Sequence, residues 1–341
     1  MLKPFLQRRF SRARLAAGLI ACLALAPASG ALSAPGADKG QAPVRAISVV
    51  AGGDLLFDRG VRRHVQEKGL RSLLAGLRQP LSGADLALAN LECPLTLRIT
   101  PRPKQYVFRC DPEVAIELRN VGFHALSLAN NHSIDQGRDG LLDTMAALEG
   151  AGLVPLGAGR SQREAHRHHL IMAGGMQVAL LAYVAIIIEG VPFLEDLPAA
   201  AQLQEETVAA EIAAARAEAD IVIVTIHWGT EFRAEPSDEQ RRLGRMLIDA
   251  GAELVLGHHP HVLQPVERYR GGVIAYSLGN LVFDQRRQDG QTTALLRCRV
   301  APHRVEDCQA IPLEIKRARP QPASADARLR AAAILQVPLA E

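Results

Sequence analysis

The sequence predicts an α/β domain whose strands form a mixed sheet or two sheets packed together. Three observations predict it. Five short runs rich in Val, Ile, Leu and Ala each lead into polar residues, helical patterns separate those runs, and two further pairs of apolar runs flank paired glycines. Strands alternating with helices imply α/β layering, and the glycine pairs add hairpins.

ISVVAGGD ends at Asp54, LALANLE at Asn90 and Glu92, and FHALSLANNH at Asn131 and His132. IVIVTIHWG carries His227, and ELVLGHHPH carries His259 and His261. Runs this short and apolar read as buried strands. Helical patterns fall at 70–77, 112–122, 140–152, 204–219 and 237–252. Ser237 and Gln240 have capping-box spacing, and Gly251 can end that last helix. The hairpins centre on Gly174-Gly175 and Gly271-Gly272. Residues 316–341 read as a weakly structured tail with one short helix, and there is no tandem repeat.

The chain has 341 residues, 48% of them hydrophobic, enough for a substantial core. Its balanced charge excludes a dedicated nucleic-acid binder. Residues 1–14 hold five basic and no acidic residues, 15–26 are apolar, and small residues follow. That order is an export signal, expected to span residues 1–33. Without it the net charge falls from +3 to −2. Leu19-Ile20-Ala21-Cys22 leaves lipidation of Cys22 open, and an uncleaved anchor is also open. Every alternative puts the domain outside the cytoplasm. Residues 34–44 read as a linker and 45–315 as the domain. In an oxidising compartment, sequence proximity favours the pairs Cys93–Cys110 and Cys298–Cys308, with separate buried thiols as the alternative.

In α/β sheets ligands gather beyond the carboxyl ends of the strands. Five such ends here offer polar groups. A lone histidine after a strand is usually an ordinary loop residue; five coincidences are harder to dismiss. In HHPH, Pro260 disfavours a helical His259, and in an extended segment side chains two apart face one way. His259 and His261 are therefore expected to chelate a metal together, with His258 facing away. Asp54 follows Gly52-Gly53, and Asn90 and Glu92 can share one face. Asn131 can offer an amide oxygen, His132 can give or take a proton, and Asp135 can orient it. For each, the bland reading is a turn, cap or solvated strand end. Together the oxygen and nitrogen donors suit one or two divalent ions, Mn, Fe or Zn.

The ordered series GD, NLE, LANNH, HWGTE, GHHPHV and YSLGNLVFD resembles the bacterial capsule-synthesis family of poly-γ-glutamate proteins, often called CapA, over most of residues 47–285. That family is similar to the calcineurin-like metallophosphoesterases. The resemblance implies a four-layer αββα sandwich, two mixed sheets flanked by helices. It implies that Asp54 and His261 serve one metal, that Asn131, His227 and His259 serve a second, and that Glu92 stands at the bridging position. His132 would match the histidine that protonates a leaving group. Arg59, Glu231, Asn280 and Asp284 belong to motifs special to the capsule family and, with Asn90, would line a pocket for an anionic substrate. Two departures stand out. Leu56 occupies the place of a superfamily histidine, and the bridging residue is Glu rather than Asp.

Three functions follow from these expectations. One is an extracytoplasmic metal-dependent hydrolase of phosphoesters or of a polymer amide. Another is a non-catalytic accessory protein that handles an anionic capsular polymer beside membrane synthesis machinery. The third is a metal-stabilised scaffold.

Overall fold

Nine residues, ISVVAGGDL, form strand β1 (Ile47–Leu55), and all but Ser48 are buried. The computed structural model describes residues 45–340 apart from 190, 191 and 193, so the export signal and linker lie outside the described residues. Helices α1 (Arg59–Lys68), α2 (Leu70–Leu74) and α3 (Arg78–Leu81) lead to β2 (Leu86–Leu91). Helix α4 (Val114–Val121) leads to β3 (Ala125–Ser127), and α5 (Gly137–Gly150) to β4 (Val154–Leu156). These four strands pair in parallel in chain order.

A two-residue pairing of β5 (Ala158–Gly159) with β8 (Ala199–Ala200) brackets helix α6 (Gln162–Ala165) and the hairpin β6 (His169–Ala173) to β7 (Met176–Val184). Helix α7 (Glu205–Glu218), β9 (Ile221–His227), α8 (Asp238–Asp249) and β10 (Leu254–His258) follow. The hairpin β11 (Val266–Tyr269) to β12 (Gly272–Ala275) completes a second sheet in the order β11-β12-β10-β9-β7-β6. The chain then returns to the first sheet. Strand β13 (Asn280–Val282) runs parallel to β1, and the short α9 (Gln288–Gln291) follows it. Strands β14 (Thr292–Ala301), β15 (Arg304–Lys316) and β16 (Arg319–Pro322) form an antiparallel meander with β14 against β1.

Alternation along each strand sorts the core into layers. Ile221 and Ile223 of β9 pack with Val49 and Ala51 of β1 between the sheets. Val222 and Val224 face the other way, onto Val208 and Ile212 of α7 and Leu243 of α8. On the far side of the first sheet, Val50 packs with Leu73 of α2 and Leu118 of α4. This is the expected αββα sandwich.

Glycines 52 and 53 have a steric cause. A Cβ on Gly53 would sit 2.0 Å from the carbonyl oxygen of Gly279, and one on Gly257 would sit 2.0 Å from that of Tyr276. The segment 276–280 therefore crosses against both β1 and β10, and its Leu278 N–H donates to Gly257 O at 3.1 Å. The capping box on α8 forms: Gln240 N–H donates to Ser237 Oγ and Ser237 N–H to Gln240 Oε1.

The C-terminal reading needs enlarging. The expected short helix is α10 (Ala325–Leu335), whose Ala327, Ala331 and Leu335 are buried, but β16 precedes it and extends the sheet. Both cysteine pairs are bonded as proximity favours. Cys93 joins Cys110, and Cys298 joins Cys308 directly across the β14–β15 ladder. Replacing Cys93 and Cys110 by Ser is expected to lower stability by about 3 kcal/mol, because the closed loop restricts the unfolded chain. Urea unfolding would measure it, and an unchanged midpoint would contradict it. Among the described residues, no helix is long and apolar enough to cross a membrane.

Candidate metal centre

The carboxyl ends of β1, β2, β3, β9 and β10 meet at one end of the sandwich, so five strand-end residues from two sheets converge. Asp54 is the last residue but one of β1, beside Asn280 of β13 and Asn90 of β2 in the sheet. Asn90 Nδ2 donates to Asp54 Oδ1 at 2.9 Å. Asn280 Oδ1 lies 3.0 Å from His261 Nδ1, and Asn280 Nδ2 donates to His261 O, so this residue fixes the ring that faces Asp54.

Two groups of donors flank Glu92. On one side His261 Nδ1 is 3.2 Å from Asp54 Oδ2, and His258 Nδ1 is 3.3 Å from Asp54 Oδ1. On the other side His227 Nε2 is 3.0 Å from Asn131 Oδ1, and the His227 and His259 rings are 4.8 Å apart. Glu92 Oε1 is 3.6 Å from His261 Nε2 and 4.0 Å from His227 Nε2. Glu92, His259 and His261 bring ligand atoms within 4.8 Å of one another.

Burial makes this arrangement expensive without a cation. Both oxygens of Glu92, Asp54 Oδ2 and His259 Nδ1 are buried with no hydrogen-bond partner. An unpaired buried polar group costs about 1–3 kcal/mol and a charged one more. Burial pushes the Glu92 carboxyl well above its usual range, and the charge on Asp54 adds to that against the opposing pull of His261. Burial also opposes ionisation of Asp54, but the adjoining His258 and His261 imidazoles outweigh it and hold the carboxyl well below its usual range. Burial would lower His261, yet Glu92 and Asp54 raise it to about 9. His259 is lowered to about 4, by burial and then by His261. His227 is held well below its ordinary value, first by burial and then by His259. The unpartnered Glu92 oxygens beside the lowered imidazoles of His227 and His259 fit a divalent ion, and Glu92, His259 and His261 could hold one.

The HHPH reading is corrected in one respect. His259 and His261 do converge, but not by alternation along an extended strand. Both are in the left-handed region, at φ 97° and 59°. Phe232 N–H donates to Pro260 O at 2.8 Å and holds the turn. His258 is no bystander facing away; it ends β10, is 1% exposed and lies against Asp54.

His132 stands at the edge of the cluster. Its Nδ1 lies 2.8 Å from Asp135 Oδ2, and its ring packs on Phe108 at 4.2 Å. Burial, partly offset by Asp135, holds it below its ordinary value. It lines a cleft of about 190 Å³ with Arg59, Glu231, Phe283 and His261. The Arg59 guanidinium lies over Phe108 and Phe283 at 5.0 and 5.3 Å and pairs with Asp284. Glu231 is exposed at the mouth.

Two residues here escape sequence reasoning. Asn130 Nδ2 donates to Asn90 Oδ1 at 3.0 Å and to Leu91 O, linking β2 to the NNH turn. Its position beside Asn131 was the only signal. Lys104 Nζ is 2.5 Å from Asp135 Oδ1, 2.8 Å from Asn131 O and 3.2 Å from His132 Nδ1. Nothing in PRPKQY marks it, because its partners lie about 30 positions away.

Residues 48–285 match a family described as "Bacterial capsule synthesis protein PGA_cap". The chain belongs to that family. A PGA_cap relative, "PGA biosynthesis protein CapA" of Bacillus subtilis (strain 168), is 32% identical over 277 residues, covering 80% of this chain and 73% of that protein. "Capsule biosynthesis protein CapA" of Bacillus anthracis is 30% identical over 278 residues, covering 79% and 68%. Among solved structures, a 5'-nucleotidase precursor from Thermus thermophilus superposes with a TM-score of 0.50 at 13% identity, covering 85% of this chain and 59% of that one. This PGA_cap chain therefore shares the αββα fold of that structure, and the likeness at that identity speaks to the fold alone.

Proposed function

We propose that this protein acts outside the cytoplasm in synthesis or export of an anionic capsular polymer of the poly-γ-glutamate kind, as a metal-dependent hydrolase of a bond in that polymer or of an ester attached to it. The observation that carries the reading is Glu92, a fully buried carboxyl group with both oxygens unpartnered between two sets of imidazoles. Two disulfides and the export-signal pattern support the compartment. The names of the Bacillus relatives support the polymer, and membrane capsule-synthesis machinery is the proposed partner.

In this reading Asp54 and His261 would hold one ion, Asn131, His227 and His259 would hold another, and Glu92 would stand between the two sets. Bound divalent metal would supply Lewis-acid polarisation of substrate oxygens. The chain's own residues do the rest. Asp135 accepts from His132 Nδ1 and leaves Nε2 free toward the cleft. His132 is neutral at pH 7, so it takes the proton of the attacking water at Nε2 and gives that proton to the leaving oxygen. Arg59, pinned by Asp284 between two phenylalanines, meets an anionic substrate. Asn90 and Asn280 hold the ligand side chains, and Glu231 selects at the mouth by charge.

The test is purified protein loaded with Mn or Zn and given poly-γ-glutamate or a generic phosphodiester. Shortening of the polymer or ester turnover supports hydrolysis. Polymer binding with no turnover of either would replace it with the accessory role.

Metal uptake is expected to tighten as pH rises from about 6 towards 9. His261, raised to about 9, carries a proton in the metal-free protein at neutral pH, and Glu92 is raised as well. Both must lose protons to ligate, so binding releases protons below pH 9. Zinc titration calorimetry in buffers of different ionisation enthalpy reads this directly. Affinity that is flat across the range, with no proton release, would remove His261 from the ligand set.

A further inference from the structure

We propose that a basic cavity beside the metal cleft is a second subsite, holding the continuation of a carboxylate-bearing polyamide chain whose reacting bond lies in the cleft. The proposal rests on the polymer reading above and adds where the chain runs. The cavity, of about 430 Å³, is lined by Arg63 of α1, Arg286 of the loop after β13 and Arg317 of the β15–β16 turn. All three arginines are exposed, and among the described residues none of the three guanidinium groups forms an ion pair or a hydrogen bond. Most other arginines nearby are engaged: Arg59 with Asp284, Arg62 with Asp58 and Arg287 with Asp289. Three unpaired cations from separate parts of the chain, facing one hollow, match a ligand with several negative charges.

Gln285 ties this hollow to the metal cleft because it lines both. Its Oε1 accepts from the backbone N–H groups of Arg286 and Arg287 at 2.9 and 3.2 Å. The amide Nε2 is thereby left as a donor, suited to a chain carbonyl. Two acids also line the cavity, Glu67 and Asp284, and Asp284 is committed to Arg59 and the Gly60 N–H. Carboxylates for arginines and amide carbonyls for the glutamine describe a polyamide with free carboxyl groups.

Backbone conformation adds an independent observation. Arg317 and Ala318 form the two-residue turn between β15 and β16, at φ 53° and 66°. Such turns favour Asn-Gly, because other side chains are strained there. Arginine stands in this position against the local preference, as strained residues do where a side chain has a task.

The experiment measures binding of fluorescein-labelled oligo-γ-glutamate by anisotropy, with polyphosphate of matched charge as the second probe. The metal-to-protein ratio is read on the same samples. The triple variant Arg63→Gln, Arg286→Gln, Arg317→Gln is expected to bind the oligo-γ-glutamate about tenfold or more weakly at ~0.1 M salt, with a shallower salt dependence and the same metal content. Arg317→Gly is the control for folding. It relieves the turn, so thermal stability should hold or rise while binding weakens. Unchanged affinity in the triple variant overturns the subsite even if metal is present. Loss of binding in the triple variant of a protein that takes up no metal would leave the subsite and overturn the metal reading instead. Tighter binding of polyphosphate than of oligo-γ-glutamate at these arginines would overturn the polycarboxylate assignment.

Discussion

His259→Ala is expected to weaken metal binding about 100-fold or more, so that protein purified without added metal carries almost none. His259 is one of three residues whose ligand atoms converge, and its Nδ1 is buried without a partner. Held at about 4, the ring is neutral and ready to ligate at pH 7. Changes in the groups that merely orient a ligand already cost 10–100-fold in affinity, and loss of a ligand costs more. Asp54→Ala is expected to lose less, because Asp54 lies beside His261 but outside the converging group of Glu92, His259 and His261. His258→Ala is expected to act through Asp54 and to have the smallest effect of the three. The measurement is metal per protein by mass spectrometry for wild type and the three variants. Equal metal in wild type and His259→Ala would mean that the strand ends form no metal centre.

Lys104→Met is expected to destabilise the protein by about 3–5 kcal/mol. The Lys104 side chain is 6% exposed and Asp135 1%. Removing one member of a buried pair leaves the other as an uncompensated charge. Asp135 keeps the Phe108 N–H at 2.7 Å and His132 at 2.8 Å, which places the loss within that range rather than above it. The double variant Lys104→Met, Asp135→Leu should recover part of the loss, since neither charge then remains buried. Chemical unfolding gives the numbers. A Lys104→Met protein as stable as wild type would show that Asp135 needs no cation.

The strand-end pattern was legible because it is local. A short apolar run followed by Asp, Glu, Asn or His reports both the strand and the direction of its polar end. Asp54, Asn90, Glu92, Asn131, His227, His259 and His261 were all found this way, and the structure brings them together. The geometry of HHPH was not legible. The two-residue alternation holds only where φ is extended, and His259 and His261 lie in the left-handed region, a choice fixed by Phe232 from a distant loop. Lys104 was hidden for a related reason: a lysine in a polar loop has no periodicity, and its burial depends on Asp135, 31 positions along. The β14–β16 meander was missed although Cys298 and Cys308 lie opposite each other in it. Its strands carry no metal-binding end, so the polar-terminus pattern does not mark them.

That meander sets where the domain can be cut for expression. The family match stops at residue 285, yet β14 begins at Thr292 and pairs with β1 from Ile47 to Ala51. A fragment trimmed to the matched region would open one side of the strand that carries Asp54 and bare its backbone N–H and C=O groups along the four paired positions it keeps, Ser48 to Ala51. Exposed apolar edges of this kind recruit other chains. Such a fragment is expected to go to inclusion bodies, whatever its chemistry, while the same protein extended through Leu335 keeps that edge covered.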